Sequence, residues 1–479
     1  MSRSRVPNWN TESYAHKEEN QFNRTTDKAR STFSVDVDTA SYANVRRMSR
    51  EGQAVDPGAV RTEEFINSFR YDYPAPQDGK AFSISTEAAH CPWADGHYLV
   101  RVGIQGRQVP AAARPPANLV FLLDVSGSMH DENKLPLVKQ SMKILVEQVR
   151  PQDRIAIVVY AGASGLVLPS TPGSEKSKIL AALSELEAGG STNGGEGLKL
   201  AYKTARENRI ANGFNRVILC TDGDFNVGVS DESSLVDLVR KEAGGGIEMT
   251  ALGFGMGNLK DSTLEAISNK GDGQYGYVDS AAEARKLFGE QIGGTLQTIA
   301  KDAKIQVEFH PRVVGSWRLI GYENRLLEDA DFNDDTKDAG EIGAGHRVTA
   351  FYEIIPAGMP SGTVADSLKY QETRPAPGAD ASEIMTVKVR AKSPSGGASL
   401  LTEVTVPEQV EDFSAASRDF RFATSVAAFG QWLAKSKHIG TSGKEDILAC
   451  SANASHGPDA SARAEFRDLV NRAKRGNDD

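Results

Sequence analysis

Between residues 117 and 300 short, continuously apolar runs alternate with amphipathic ones, and this rhythm restricts the topology more than any other feature of the chain. The runs "ANLVFLLDV", "RIAIVVYAG", "NRVILCTDG" and "GIEMTALGFG" are apolar on both faces, as strands buried between two layers must be. Between them "LPLVKQSMKILVEQV" sets Leu135, Val138, Met142, Leu145 and Val149 on one helical stripe. "SEKSKILAALSEL", "GLKLAYKTAREN" and "SDESSLVDLVRKEAGG" continue the series, the last with Ser230 as its N-cap. Then come a helix at "STLEAISNKGDG", a short strand at "GQYGYVD" and a helix over "SAAEARKLFGEQIGGTLQTIA", opened by a capping box of Ser280 and Glu283. Such alternation implies parallel strands joined by right-handed crossovers, with helices on both faces. The pattern predicts a doubly wound, Rossmann-like α/β domain over residues 117–300.

The flanks read differently. Residues 1–30 are polar and predict a tail or a surface strap, and residues 31–110 are strand-rich. In "STFSVDVDTASYANV" Phe33, Val35 and Val37 alternate with Ser34, Asp36 and Asp38, which predicts a strand with its acids toward solvent. "AVRTEEFINSFRY" reads as a short helix, "AFSISTEAA" and "HYLVRVGIQ" as strands, and the proline-bearing "GRQVPAAARPPAN" as a linker. Over residues 301–410 strands return without helices between them. One β-sandwich built from both flanks, with the α/β domain inserted, is the economical arrangement; two separate small β-domains are the alternative. Residues 411–479 predict a helical region with two amphipathic helices, around Phe422, Val426, Phe429 and Leu433 and around Phe466, Leu469 and Val470, joined by a loop at "TSGKEDILACSANASHGPDAS".

In a doubly wound sheet ligands bind beyond the carboxyl ends of the strands, where the strand order reverses. Three polar loops emerge at such ends or beside them. The first carries Asp124, Ser126 and Ser128 in "DVSGS", the second Ser191, Thr192 and Asn193 in "GGSTNGG", and the third Asp222 and Asp224 in "TDGDFN". Carboxylates and hydroxyls are hard oxygen donors, suited to an octahedral Mg²⁺ or Mn²⁺ and unsuited to a thiolate zinc cage. Alternation in Asp-x-Ser-x-Ser aims side chains of one loop at one spot.

At these residues the chain resembles the von Willebrand factor type A family. Asp124, Ser126, Ser128, Thr192 and Asp222 match the family's metal-ion-dependent adhesion site in order. The resemblance implies that Ser126, Ser128 and Thr192 reach the metal directly and that Asp124 and Asp222 do so directly or through water. Mg²⁺ is the implied cofactor, with Mn²⁺ or Ca²⁺ as alternatives. An open position would take an exposed Asp or Glu of a partner protein whose identity the sequence does not encode. Asp224, Asn193 and Ser191 are candidates for the surrounding shell or ligand rim. "FSVDVDTASYANVRR", "YDYPAP", "TDGDFNVG" and "DFRFATSVAAFG" are further similar to a bacterial subgroup with a characteristic N-terminal segment and a C-terminal region. That resemblance implies a cell-envelope address, periplasmic or lipid-anchored in a full-length precursor, although this chain shows no signal-peptide run.

Other chemistries fit less well. The net charge of −9, with no block of Lys or Arg, argues against nucleic acid, and no window is apolar enough to predict a transmembrane segment. Cys91, Cys220 and Cys450 are dispersed and suggest no zinc site. A non-enzymatic binding module is the expectation. The alternatives are a metal-dependent phosphoester hydrolase using Asp124, whose usual second acid is replaced by Ser126, and a structural envelope-assembly protein. His130 and the acid-rich "EDADFNDDTKD" read as solvated loops, the latter also as a candidate internal acid for the metal. Glu196 reads as an ordinary helix-start residue.

Overall fold

The computed structural model describes residues 12, 14, 18–191, 194–223, 232–256, 259–290, 297–360, 382–452 and 459–476. The chain divides into two compact units, one made of residues 1–15 and 109–297, the other of residues 16–108 and 298–479. In chain order the N-terminal flank supplies β1 (Asn23–Arg24), β2 (Arg30–Ser34), α1 (Ala40–Arg50), β3 (Ala54–Val55), α2 (Thr62–Asn67), β4 (Phe82–His90) and β5 (Tyr98–Gly106). The middle supplies β6 (Ala117–Asp124), α3 (Leu135–Gln148), β7 (Arg154–Tyr160), β8 (Ser164–Pro172), α4 (Lys176–Ser184), α5 (Gly194–Glu207), β9 (Phe214–Thr221), α6 (Glu232–Gly244), β10 (Glu248–Phe254), α7 (Asp261–Lys270), β11 (Tyr275–Val278) and α8 (Ala281–Ala284). The C-terminal flank supplies β12 (Thr298–Phe309), β13 (Val314–Ile320), β14 (Gly340–Gly343), β15 (Arg347–Pro356), β16 (Glu383–Lys392), β17 (Leu400–Pro407), α9 (Arg418–Leu433), α10 (Lys444–Cys450), α11 (Ala460–Arg472) and β18 (Lys474–Arg475).

The middle unit is built on one sheet of order β11-β10-β9-β6-β7-β8. Its apolar strands lie in the middle, and every residue of β6 is buried, so helices must cover both faces. Leu135, Val138, Met142, Leu145 and Val149 do bury the inner stripe of α3. Chain order runs outward on one side through β7 and β8, then restarts on the other through β9, β10 and β11. The reversal falls between β6 and β9, and both strands end there in polar residues, Asp124 and Thr221.

Two expectations change here. The run Ser164–Pro172 forms an edge strand antiparallel to β7 that the helix-and-strand rhythm did not announce, because it is only partly buried and lacks the continuous apolar signature of its neighbours. The helix expected to run from Ser280 to Ala300 is also shorter. Ser280 Oγ does cap it, accepting the Glu283 amide at 3.2 Å, and α8 passes into a π-helical turn over Arg285–Glu290. Thr298–Ala300, however, are buried at the start of β12 and pair with β14, so they belong to the flanking unit.

The flanking unit is a two-sheet sandwich drawn from both sides of the middle one. One sheet has the order β1-β13-β15-β5-β4, the other β14-β12-β16-β17, with β2 also paired to β12. Phe309 of β12 stacks on Trp317 of β13 at 4.6 Å and meets Tyr352 of β15 edge-on at 5.2 Å, closing the sandwich core. The opposite face of the first sheet carries helices. Phe420 of α9 packs edge-on against Phe351 of β15, and Phe69 meets both Phe422 of α9 and Phe466 of α11.

The predicted strand across residues 31–38 stops at Ser34. Asp36 turns the chain by accepting the Asp38 amide on its own carboxylate at 2.8 Å, and α1 begins at Ala40. The acids expected at a solvent face are buried, Asp36 and Asp38 at 3% exposure each. The predicted C-terminal loop likewise contains α10, started by the Asp446 carboxylate accepting the Gly443 amide at 2.8 Å. The acid-rich stretch 328–338 holds a short 3₁₀ turn pinned by buried Phe332 and by Asp329, which accepts from Thr32 at 2.7 Å.

Candidate metal centre

Asp124 closes β6 opposite Tyr160 of β7, and the next pair down the sheet is Leu123 with Cys220 of β9. Three strand ends therefore share one level. Asp124 Oδ1 accepts the Ser126 amide at 2.9 Å, which turns the chain out of the sheet, while Oδ2 accepts the Tyr160 and Thr221 hydroxyls at 3.1 Å each. Both oxygens are thus held by protein donors and the side chain is fixed. Burial pushes its pKa up to about 6, and the charge of Asp222 adds to that rise. Hydrogen bonds from Ser126 and Tyr160 oppose it.

Beyond Asp124 the backbone is extended at Ser126 and enters a 3₁₀ turn over Gly127–His130. The Ser126 and Ser128 hydroxyls come within 3.0 Å of each other. Adjacent ligands of an octahedron with Mg–O bonds of about 2.0–2.1 Å are separated by about 2.8–3.0 Å. The spacing of the two hydroxyls therefore matches neighbouring vertices, and the donor set of hydroxyl and carboxylate oxygens fits a hard divalent cation.

The second loop is sewn to this corner through its backbone. The Gly127 amide donates to the Gly190 carbonyl at 3.0 Å and the Gly189 amide to the Val125 carbonyl at 2.7 Å. Gly190 sits at φ +83°, a backbone conformation that strains any larger residue, and a Cβ there would crowd the Gly162 amide nitrogen at 3.3 Å. Ser191 follows, exposed and beside Gly162. Thr192, Asn193 and Asp224 lie outside the described residues.

From the third loop Asp222, fully buried, accepts a hydrogen bond from Lys134 Nζ at 2.9 Å. The structure thus brings together Asp124, Ser126 and Ser128 and sets Asp222 near enough to raise the Asp124 pKa. His130 is exposed. Glu196, also exposed, pairs with Lys199 at 2.9 Å.

Sequence reasoning passed over Tyr160, Thr221 and Lys134. Parallel register could have found the first, since the last residue of a neighbouring strand shares the level of Asp124. Thr221 directly precedes the matched Asp222. Lys134 carried no signal, because its burial depends on how α3 begins.

A second acidic group lies in the flanking unit. Ligand-type atoms of Asp36, Asp38 and Glu64 fall within 4.8 Å of one another. Arg325 bridges Asp36 at 3.0 Å and Asp38 at 2.9 Å, Arg61 pairs with Glu64, and the Ser41 amide donates to Glu64 at 2.7 Å. Guanidinium groups already supply the positive charge there. Next to Glu64, Glu63 is fully buried, with only the backbone amides of Tyr322 and of Glu63 itself favouring its charged form. Burial, reinforced by the charges of Glu323 and Asp36, pushes its pKa up to about 8.

Three family models match along the chain: "von Willebrand factor" over residues 8–101, "von Willebrand factor type A domain" over residues 118–290, and "Uncharacterized protein YfbK, C-terminal" over residues 294–475. The "Uncharacterized protein YfbK" of Escherichia coli (strain K12) is 38% identical over 473 residues, which cover 97% of this chain and 81% of that protein. The chain belongs to the YfbK family of von Willebrand factor type A proteins. Inter-alpha-trypsin inhibitor heavy chain H3 of Homo sapiens is 30% identical over 196 residues, 38% of this chain and 22% of that protein. A solved structure titled "von Willebrand factor type A from Catenulispora acidiphila" is similar at 14% identity and a TM-score of 0.47, covering 83% of this chain and 97% of that one. Type A domains are protein-interaction modules, and the relatives of this one are mostly non-enzymatic. Among the described residues no helix is long and apolar enough to cross a membrane.

Proposed function

We propose that the middle unit is a divalent-cation-dependent protein-binding module. Ser126, Ser128 and Thr192 would ligate a Mg²⁺ directly. Asp124, whose two oxygens already hold protein donors, would act through water, and Asp222 directly or through water. Mn²⁺ or Ca²⁺ would serve in the same place. One position stays open for an Asp or Glu of a partner protein. The carrying observation is the pair of serine oxygens at octahedral spacing beside a buried carboxylate. Ligation mostly by neutral hydroxyls leaves the ion much of its charge, and such an ion attracts an outside acid.

The hydrolase alternative is weaker at the same corner. An aspartyl nucleophile of this kind works with a proton-donating second acid two residues on, and that place is taken by Ser126. An envelope address, periplasmic or lipid-anchored, completes this reading and follows from the subgroup resemblance.

The test is affinity capture with the full chain from a lysate of cells that encode it, in Mg²⁺ and in EDTA, beside Asp124→Ala. A partner retained only by wild type in Mg²⁺, and lost when its exposed acids are replaced by amides, supports the reading. Equal capture in EDTA contradicts it.

A further inference from the structure

The parts that hold Lys134 against Asp222 lie in the middle unit, and apart from Asp222 itself none of them belongs to the five residues matched to the adhesion site. Lys134 stands immediately before α3 and is nearly buried, its side chain 5% exposed against 0% for Asp222. A lysine pays heavily in desolvation and side-chain entropy for such a place. Its stem lies across Gly255, just beyond the end of β10. A Cβ at Gly255 would fall 2.6 Å from Lys134 Cε and 2.9 Å from Cδ, and the glycine sits at φ +72°. The Gly255 carbonyl is fixed by the Tyr277 hydroxyl from β11. Two further strands of the sheet, β10 and β11, thus shape a slot whose floor is the bare Cα of Gly255 and whose end is the carboxylate of Asp222.

We infer that Lys134 is a resident counter-cation of the metal centre, a positioning residue that acts through Asp222. This rests on the function proposed above. Without metal, the ammonium neutralises one of the two buried carboxylates and keeps the third loop at the corner. With a divalent ion bound, the two nearby carboxylates offset part of its charge, and the ammonium adds one positive charge to what remains. That added charge weakens the site for the metal and strengthens it for an incoming carboxylate. Lys134 therefore trades cation affinity for partner affinity, a division of labour that a purely structural lysine would not produce.

The experiment uses the full chain, Mn²⁺ as the probe ion with free Mn²⁺ read by electron paramagnetic resonance, and acetate as the probe acid, read by its displacement of Mn²⁺-bound water in proton relaxation. Lys134→Met should bind Mn²⁺ at least tenfold more tightly than wild type and acetate at least threefold more weakly. Lys134→Arg, which keeps the charge, should stay within about threefold of wild type for both. The metal-free Met variant should melt lower than wild type and gain more from Mn²⁺; if it folds only when purified with Mn²⁺, that outcome also supports the inference. Unchanged or weaker Mn²⁺ binding by Lys134→Met overturns it, as does a variant that stays unfolded in saturating Mn²⁺. A wild-type chain that binds no Mn²⁺ sinks the proposed function itself, a result distinct from wild-type binding that Lys134→Met leaves unaltered.

Discussion

Two buried acidic clusters in this chain begin from nearly the same sequence device and end with opposite characters. "DVD" at 36–38 and "DVS" at 124–126 each place a polar side chain two residues after an aspartate, and in each the first aspartate accepts the amide of the second polar residue, at 2.8 Å and 2.9 Å. In the flanking unit the second group is an acid, and Arg325 and Arg61 arrive to pair with the carboxylates. In the middle unit the second and third groups are hydroxyls, which need no counter-charge and can turn toward an ion. Whether a buried aspartate corner becomes a salt-bridged joint or a candidate cation seat is decided by what stands at alternate positions after it. Guanidinium locks the first; hydroxyl oxygens leave the second available.

The contrast can be broken most forcefully at Arg325. Arg325→Met would remove the guanidinium that pairs with both Asp36 and Asp38, and removing one partner of a buried ion pair costs about 3–5 kcal/mol. Urea denaturation followed by circular dichroism should show the flanking unit lost first, and Mg²⁺ should not rescue it. A loss below about 1 kcal/mol would mean that the guanidinium is dispensable and the cluster is free for a cation.

Glu63 sharpens the same comparison through pH. Its folded pKa of about 8 lies above the ordinary glutamate value of about 4.5. Between those values the unfolded chain releases the proton that the folded chain keeps, so stability is fully present below about pH 4.5 and is lost as pH rises through about 8. Wild type should lose on the order of 2–4 kcal/mol between pH 5 and 8 from this residue, while Glu63→Gln should show a correspondingly flatter profile. Parallel profiles for the two proteins would refute the assignment.

At the other corner the effect runs through ligand binding. Mg²⁺ at about a hundred times its Kd should stabilise the wild-type chain by about 2.7 kcal/mol, visible as a rise in the melting transition of the middle unit that EDTA reverses. Asp124→Asn should abolish the rise. The smallest expected effect is at Glu196→Ala. That residue and Lys199 are each 60% exposed, and breaking such a pair should change stability by no more than about 0.5 kcal/mol and leave Mg²⁺ stabilisation intact. Loss of the Mg²⁺ effect in that variant would place Glu196 in the ligand rim.

The doubly wound class of the middle unit and its polar corner are legible because apolar runs alternating with amphipathic helices leave few architectures, and because Asp124, Ser126 and Ser128 sit together in one short loop. Sequence reading failed where one residue redirected the chain. The alternation of its neighbours predicts a strand through Asp36, yet the ladder stops at Ser34 and the Asp36 carboxylate turns the chain by accepting the Asp38 amide. Lys134 and Tyr160 were invisible for another reason. Their importance comes from partners 88 and 36 residues away, and no local period reports on such pairs. Thr298–Ala300 fell to the wrong unit because an apolar run at the end of a helix looks the same as one at the start of a strand.

The central claim is that hydroxyls and buried carboxylates from separate loops converge on one divalent ion. Isothermal titration of Mg²⁺ into the full chain, beside the Asp124→Asn variant, tests it most directly. The account predicts one saturable site in wild type, none in the variant, and matching circular dichroism spectra for the two. Absence of binding heat at millimolar Mg²⁺ in a folded wild-type chain, with an unmoved melting transition, would contradict it.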